Sequence, residues 1–380
     1  MVKYFVEKAK IKNWDKEDIL LWVFEKEVNY SCTFTLNDVK AHSIIFSQEI
    51  YKNKEPIFAL FANSGNANCL NGKVGYKALK DIEKFLQEKF KTQKRILFAQ
   101  TGVIGEFFEK NKVLSALKDI KLKPLESKED LKVCARAIMT TDSFEKYEYV
   151  EDGDLKIMAI AKGAGMIAPN MATMLCFVYT NASFSKEELD ILLRYSVEKS
   201  FNRISVDGDM STNDCVFLFS EKDGIKVDIF KFRNLLEKVL KNLALKIVED
   251  GEGATKVMHI IVKGAKSKSK ALKIAQRIGN SLLVKTAIFG CDPNWGRIVA
   301  AAGSVQTGID ANKCLLFIGP YLLFSNGEKT NYDEAKVIDY MKKNKIIKIV
   351  LDLNEGNSYE EFFASDISYD YIKINAEYRT

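Results

Sequence analysis

One threonine in this sequence is placed where self-cleavage would turn it into a nucleophile. Residues 162–174 read KGAGMIAPNMATM, a loop interrupted by glycine and proline that separates two apolar runs and includes the step Ala172-Thr173. A cut between these two residues would make Thr173 an N-terminal residue. Its α-amine, with a pKa of about 7.7–8.0, would be partly neutral and could deprotonate its own hydroxyl. The pattern indicates N-terminal-threonine chemistry, although the same dipeptide also occurs in ordinary connections between strands.

The supply of histidine and cysteine argues against other nucleophilic or metal chemistry. The chain has only two histidines, His42 and His259, so a Ser-His-Asp arrangement has few residues to draw on. The seven cysteines are odd in number, form no C-x-x-C pair and mostly lie inside apolar runs. This usage predicts buried free thiols in a reducing compartment, with neither a disulfide framework nor a metal site.

Bulk properties predict a globular enzyme-sized chain. The 380 residues are 47% apolar and 28% charged, enough for a sizeable core in one large or two to three ordinary domains. The formal charge of +6 is spread among acidic residues, which favours a solvated surface over nucleic-acid binding. No apolar run approaches the roughly 18 residues of a membrane span, and the N-terminus lacks an apolar signal region. We therefore expect a cytoplasmic protein that binds neither nucleic acid nor membrane.

Two further loops could take part in chemistry. Thr101-Gly102 follow the apolar run at 95–100, where a threonine hydroxyl and a glycine amide could both donate to one oxyanion. Glu252 lies in the glycine-flanked segment 250–253 and could bind an ammonium group. Each loop has a plain structural alternative, a turn in the first case and a helix C-terminus in the second.

Hydrophobic periodicity predicts alternating strands and helices, hence an α/β or α+β fold with a smaller C-terminal domain. Ser127 with Asp130 predicts one helix start, where the serine oxygen caps first-turn amides, and a capping box at Ser185/Glu188 predicts another. The lysine- and serine-rich stretch 263–270 suggests a boundary, dividing the chain into 1–265 and 266–380. Strands are predicted at 55–63, 95–100, 281–289, 313–319 and 345–353, and helices through 74–86, 232–243 and 272–279.

Eight motifs occur in order over residues 63–380 and together resemble one family. They are NSGNANC, TGVIG, AIMTTD, KGAGMIAPNMATM, FNRISVDGDMSTND, DGEGATK, AIFGCDPNWGRI and YDYIKINAEYRT. With these motifs the chain resembles the ornithine acetyltransferases, the bifunctional glutamate N-acetyltransferase family of arginine biosynthesis. The motifs are spread over more than four-fifths of the chain, which makes the resemblance specific.

The resemblance implies a DmpA/ornithine-acetyltransferase-like αββα sandwich whose precursor cuts itself between Ala172 and Thr173. The α chain 1–172 and the β chain 173–380 would stay associated, with two copies of each (α2β2). Thr173 would take the acetyl group of N-acetylornithine, release ornithine and pass the acetyl group to glutamate, giving N-acetylglutamate. No cofactor is implied, and the resemblance leaves open whether acetyl-CoA is also a donor.

The resemblance also assigns roles to individual residues. Thr101 and Gly102 would form the oxyanion hole. Glu252 would suit the α-ammonium group that ornithine and glutamate share, and a closing C-terminal tail would keep water from the acyl ester. One of Thr140 and Thr141 also belongs to the substrate set, and we favour Thr140. The complete set implied to bind substrate is Thr140 or Thr141, Lys162, Thr173, Glu252, Asn375 and Thr380.

Two other functions remain open at this point. An N-terminal-nucleophile aminopeptidase or amidase of the same fold would use the same Thr173 and oxyanion hole, with water as the acyl acceptor. Such an enzyme would not need the DPNWGR and NAEYRT segments, which favour the transferase. A non-catalytic amino-acid-binding protein would not need an Ala-Thr cleavage point.

Overall fold

The protein is described by a computed structural model that covers residues 2–12, 14–168 and 174–377. The predicted cleavage residues Ala172 and Thr173, and the predicted substrate residue Thr380, lie outside the described residues. The chain forms two compact units. The first consists of Met1–Gly163, Asn170–Asn202 and Met210–Ala244, and the second of Ala164–Pro169, Arg203–Asp209 and Leu245–Thr380.

Strands and helices alternate along most of the chain, as the sequence predicts. The strands are β1 (Val2–Glu7), β2 (Ile19–Phe24), β3 (Val28–Phe34), β4 (Ile57–Asn63), β5 (Arg95–Gln100), β6 (Lys123–Pro124), β7 (Lys146–Asp152), β8 (Leu155–Lys162), β9 (Leu175–Ala182), β10 (Ile204–Ser205), β11 (Cys215–Ile225), β12 (Val257–Ala265), β13 (Leu315–Ile318), β14 (Tyr321–Ser325), β15 (Glu328–Lys329), β16 (Ile346–Asp352) and β17 (Ser358–Ser365). The helices are α1 (His42–Lys52), α2 (Lys73–Phe90), α3 (Lys110–Ala116), α4 (Lys128–Ile138), α5 (Lys186–Glu198), α6 (Ile229–Glu249), α7 (Lys268–Gly279), α8 (Leu282–Phe289), α9 (Trp295–Gly303), α10 (Glu334–Lys343) and α11 (Tyr369–Ala376).

The first unit contains two sheets that pack face to face. Their strand orders are β5-β4-β2-β1-β6 and β3-β11-β9-β8-β7. Trp22 and Phe24 on β2 contact Phe177 and Phe219 of the second sheet, with ring centroids 6.1 and 4.7 Å apart. Because side chains alternate between the faces of a strand, these residues define the inner face of each sheet.

The outer faces of both sheets are covered by helices. On the first sheet, Phe98 lies 5.7 Å from Phe61 and 5.2 Å from Phe46 of α1, and α2 packs beside α1. On the second sheet, Ser31 of β3 donates to Asp190 of α5 at 2.6 Å. The order is therefore helix, sheet, sheet, helix, which confirms the predicted αββα sandwich.

The two helix starts predicted from the sequence are confirmed in this unit. Ser127 with Asp130 and Ser185 with Glu188 form capping boxes that begin α4 and α5. All seven cysteines lie in the described part of the chain as free thiols, and only Cys291 is not fully buried. None of the helices among the described residues is long and apolar enough to cross a membrane.

The second unit is built on one mixed sheet of order β10-β17-β12-β16-β13-β14-β15. Helix α7 packs against β12 and β17, and its buried face joins the core of this unit. The stretch 263–270 comprises the end of β12, a two-residue connection and the start of α7, which Ser267 caps. Because β12 pairs with both β16 and β17, the second unit starts before residue 266.

The strand predicted at 281–289 is wrong. These residues form α8, and the Ser281 hydroxyl accepts from the N–H of Val284 at its start. A short apolar run fits a buried strand or a buried helix equally well, and here the serine cap was the informative signal.

Replacing Trp22 with alanine tests the packing between the two sheets. Trp22 is fully buried, and its Nε1–H donates to Cys134 Sγ at 3.5 Å. We expect Trp22→Ala to lower the free energy of unfolding by about 3–5 kcal/mol, measured by urea denaturation, because the change leaves a cavity. Val74→Ala, at a position 53% exposed on α2, should change it by less than about 0.5 kcal/mol. Equal effects of the two variants would contradict the sandwich packing.

Candidate active site

A buried ammonium group brings together three of the predicted residues. Lys162 is the last residue of β8, and its side chain is only 3% exposed. Its Nζ donates to Thr140 Oγ1 at 2.8 Å and to Thr101 Oγ1 at 3.3 Å. An ammonium group can only donate, so both threonine hydroxyls act as acceptors toward it. The hydroxyl hydrogen of Thr101 is then left to donate to another oxygen, as an oxyanion hole requires.

Of the two adjacent threonines, Thr140 is the one that reaches Lys162. Thr141 is half-buried, and no hydrogen bond between its side chain and Lys162 is present in the described part of the chain. This placement agrees with the preference for Thr140. Substrate contact by either threonine stays a prediction.

Gly102 lies where no other residue fits. Its φ is +133°, and a Cβ atom at this position would clash with the backbone of Gly65 and Asn66. The preceding Thr101 N–H donates to Asn63 O at 3.0 Å. The close approach of these two loops gives Gly102 a structural reason to be glycine, in addition to its predicted role as an oxyanion donor.

Buried amide side chains hold the end of β5 in place. Gln100 Nε2 donates to Asn63 Oδ1 at 2.7 Å, and Asn68 Nδ2 donates to Gln100 Oε1 at 2.9 Å. Asn213 Nδ2 donates to Gln100 O at 2.8 Å. The side chains of Asn63, Asn68 and Asn213 therefore position the backbone that leads into Thr101.

Two buried aspartates near these residues were missed by the sequence analysis. Asp142 lies 4.0 Å from Lys162 Nζ. Burial alone would raise the pKa of Asp142, but the ammonium groups of Lys162 and Lys146 lower it below its ordinary value. Asp142 is therefore a carboxylate. Its position two residues after Thr140, in the motif AIMTTD, was the available signal.

The second of these, Asp214, binds the chain directly after the predicted nucleophile. Its Oδ1 accepts from the N–H of Met174 at 2.8 Å, and this N–H belongs to the peptide bond that joins Thr173 to Met174. Burial raises the pKa of Asp214 well above its usual value, while the Met174 N–H and the charge of Lys162 oppose that rise. The motif FNRISVDGDMSTND contains Asp214, but nothing local to it indicates this contact.

In the second unit the structure brings together two other predicted residues, Glu252 and Asn375. Glu252 follows the end of α6 and is nearly buried, and its Oε2 accepts from Asn375 Nδ2 at 2.8 Å. Its N–H donates to Ala164 O at 2.9 Å. A Cβ atom at Gly165 would clash with the Glu252 carboxylate. A carboxylate held in this way suits an ammonium ligand.

The DPNWGR segment has a structural role in the same unit. It starts α9, with Asn294 as the N-cap, and it follows a helix where the sequence analysis expected a strand. Trp295 stacks on Phe324 with ring centroids 5.2 Å apart. Trp295 therefore contributes to the packing of this unit.

Comparisons with known proteins agree on one family. Residues 3–380 match the ArgJ family. The arginine biosynthesis bifunctional protein ArgJ of Aquifex aeolicus is 41% identical over 378 residues, covering 99% of this chain and 98% of that protein. The glutamate N-acetyltransferase of Methanocaldococcus jannaschii is 41% identical over 388 residues, covering 96% and 94%.

One solved structure supports the fold directly. The arginine biosynthesis bifunctional protein argJ of Bacillus halodurans is 35% identical, with a TM-score of 0.51, and the match covers 53% of this chain and 98% of that one. Ordered motifs, whole-length relatives and a shared fold lead to the same conclusion: this chain belongs to the ArgJ family.

Proposed function

We propose that the chain is a glutamate N-acetyltransferase that moves the acetyl group of N-acetylornithine to glutamate in arginine biosynthesis. The observation that carries the proposal is the buried Lys162 ammonium group, which donates to the hydroxyls of Thr101 and Thr140. Relatives named ArgJ and glutamate N-acetyltransferase, matched over nearly the whole chain, support the same reaction.

The reaction runs through an ester on Thr173. The Thr173 hydroxyl attacks the acetyl carbonyl of N-acetylornithine while its own α-amine takes the hydroxyl proton. The resulting oxyanion accepts hydrogen bonds from the Thr101 hydroxyl and the Gly102 N–H. When the C–N bond breaks, the proton passes to the departing amine, and ornithine leaves acetyl-Thr173 behind. The neutral amine of glutamate then attacks the ester carbonyl, and its proton passes through the α-amine of Thr173 to the Thr173 oxygen. Breakage of the ester C–O bond releases N-acetylglutamate and regenerates the free hydroxyl.

Lys162 prepares Thr101 for this role. Because Lys162 donates to Thr101 Oγ1, the threonine hydroxyl hydrogen is directed elsewhere and is available when the oxyanion forms. The positive charge of Lys162 also favours the negative charge that develops in the transition state. For the second unit, the resemblance assigns substrate binding to Glu252 and Asn375. The resemblance assigns substrate binding to Thr380 as well.

We also propose that the active protein consists of two chains, 1–172 and 173–380, assembled as α2β2. The family resemblance, together with the step Ala172-Thr173 in the loop at 162–174, supports a divided polypeptide. The free, mostly buried cysteines support a reducing, cytoplasmic location. No cofactor is needed for the steps above, and acetyl-CoA remains a candidate second donor.

An assay of the purified protein separates the possible activities. Glutamate is supplied with either N-acetylornithine or acetyl-CoA, and N-acetylglutamate is measured by mass spectrometry. Product from N-acetylornithine supports the proposal, and product from acetyl-CoA adds the second donor. Release of acetate from N-acetylornithine without glutamate, and no transfer when glutamate is present, would identify a hydrolase instead.

Self-cleavage is the first testable consequence. We expect the purified protein to give two chains, the second with Thr173 as its N-terminal residue, because the freed α-amine must serve as the base. Thr173→Ala should remain one chain and lose transfer activity. Intact mass and N-terminal sequencing decide the question, and an uncut protein with full activity would rule out this chemistry.

The kinetics should be ping-pong. Ornithine must leave before glutamate reacts with acetyl-Thr173, so double-reciprocal plots at several fixed glutamate concentrations should be parallel. Incubation with N-acetylornithine alone should add one acetyl group to the second chain. Intersecting lines without an acetylated chain would instead indicate direct transfer.

Thr101→Ala tests the oxyanion hole. Loss of one such donor typically lowers kcat on the order of 10²–10³-fold, about 2.7–4 kcal/mol, and the KM for N-acetylornithine should change far less. The control Thr180→Ala removes a buried hydroxyl that donates to Lys156 O, and it should leave kcat nearly unchanged. A kcat of cleaved Thr101→Ala within about threefold of wild type would make Thr101 only a turn residue.

A further inference from the structure

Both carboxylate oxygens of Asp142 accept hydrogen bonds from the chain segments that contain Thr140 and Lys162. Oδ1 accepts from Lys146 Nζ at 2.8 Å and from the Gly163 N–H at 2.7 Å. Oδ2 accepts from the Thr140 N–H at 2.9 Å and lies 4.0 Å from Lys162 Nζ. The Asp142 carboxylate therefore binds the backbone of Thr140 and of Gly163, the residue next to Lys162. The side chains of Thr140 and Lys162 are themselves joined by a hydrogen bond.

The β7–β8 hairpin explains why these groups meet. The two strands are antiparallel, with Lys146 paired to Ala161. Lys146 at the start of β7 and Lys162 at the end of β8 are thus brought to the same end of the hairpin. Asp142 lies on the chain just before β7, so its carboxylate can receive one ammonium group from each strand.

Because the charged groups of Asp142, Lys146 and Lys162 are buried, each depends on the others for its stability. The side chains of Asp142 and Lys146 are fully buried, and that of Lys162 is 3% exposed. A buried charge that loses its partner is strongly unfavourable, because no water replaces the lost interaction. Lys146 compensates the charge of Asp142, and the carboxylate in turn stabilises the buried charge of Lys162.

We propose that Asp142 is a positioning residue that fixes Thr140 and Lys162 so that Lys162 can direct the Thr101 hydroxyl toward the oxyanion. Asp142 does not touch the reacting atoms and acts through Lys162, with Lys146 as its counterion. This inference rests on the proposed acetyl transfer, and it assigns a role to a side chain that the family resemblance did not single out.

A double-mutant cycle on the full, self-cleaved chain tests the proposal. Asp142→Asn keeps the size of the side chain but removes its charge and one acceptor oxygen. We expect kcat to fall on the order of 10²-fold, because small displacements of positioned groups have effects of this size. In the Lys162→Met background, Asp142→Asn should change kcat by less than about twofold, since the residue through which it acts is already gone.

The matched control is Asp18→Asn. Asp18 is another buried carboxylate of the same unit that accepts two backbone N–H groups, from Ala9 and Ile11 at 2.6 Å each. It forms none of these bonds with a predicted active-site residue, and kcat of Asp18→Asn should stay within about threefold of wild type. If Asp142→Asn does not fold, Asp142→Asn/Lys146→Met removes both members of the buried pair and should show the same fall in kcat.

The outcomes are distinct. An equal fall in kcat in the wild-type and Lys162→Met backgrounds would make Asp142 a general structural residue and overturn the proposal. Transfer by the wild type with unchanged kcat in Asp142→Asn would also overturn it, while leaving the proposed function intact. Absence of transfer by the wild type would overturn the proposed function and this inference together.

Discussion

The burial of the Lys162 ammonium group constrains much of the first unit. A charge removed from water is stable only where donors and acceptors surround it in good geometry. The partners of Lys162 come from separate parts of the chain, Thr101 after β5 and Thr140 with Asp142 before β7. These parts meet only if strand ends of both sheets are held in register. The face-to-face packing of the sheets, with helices on both outer faces, provides such a rigid frame.

Three buried amide side chains behind this site form one hydrogen-bonded network. The amides of Asn63, Asn68 and Gln100 bond to one another and to the backbone carbonyl groups of Asn66 and Gly75. In a buried environment an incomplete network of this kind would be costly, whereas a complete one is stiff. The backbone before Thr101 therefore has little freedom, which is what a preformed oxyanion hole needs.

Sequence reasoning recovered the features whose signals are local. The helix starts at Ser127 and Ser185 are indicated by a serine followed three residues later by an acidic residue. The strands β4 and β5 are indicated by short apolar runs. The run 281–289 did not indicate its helix, because a short apolar pattern fits helix and strand alike. Motif order gave the family, the sandwich and the set of residues that includes Thr101, Thr140 and Lys162.

Asp142 and Asp214 were beyond the reach of such reasoning, for a physical reason. The contacts of Asp142 depend on the pairing of β7 with β8, which brings Lys146 and Gly163 to one carboxylate. Asp214 matters because β11 runs parallel to β9, so its carboxylate meets the N–H of Met174, 40 residues earlier in the chain. The motif AIMTTD marks Asp142 but not its contacts with Lys146 and Gly163, and nothing near Asp214 in the sequence indicates its contact with Met174.

The strand order of the second sheet determines whether the two products of a cut before residue 173 could separate. In the order β3-β11-β9-β8-β7, a cut before residue 173 would assign β9 and β11 to one product and β3, β7 and β8 to the other. The strands of the later product are inserted between those of the earlier one, so two ladders of backbone hydrogen bonds would join the products. Dilution would not separate such chains, because neither could leave without unfolding the shared sheet. Fragments expressed from separate genes would have to fold together, each completing the other's sheet.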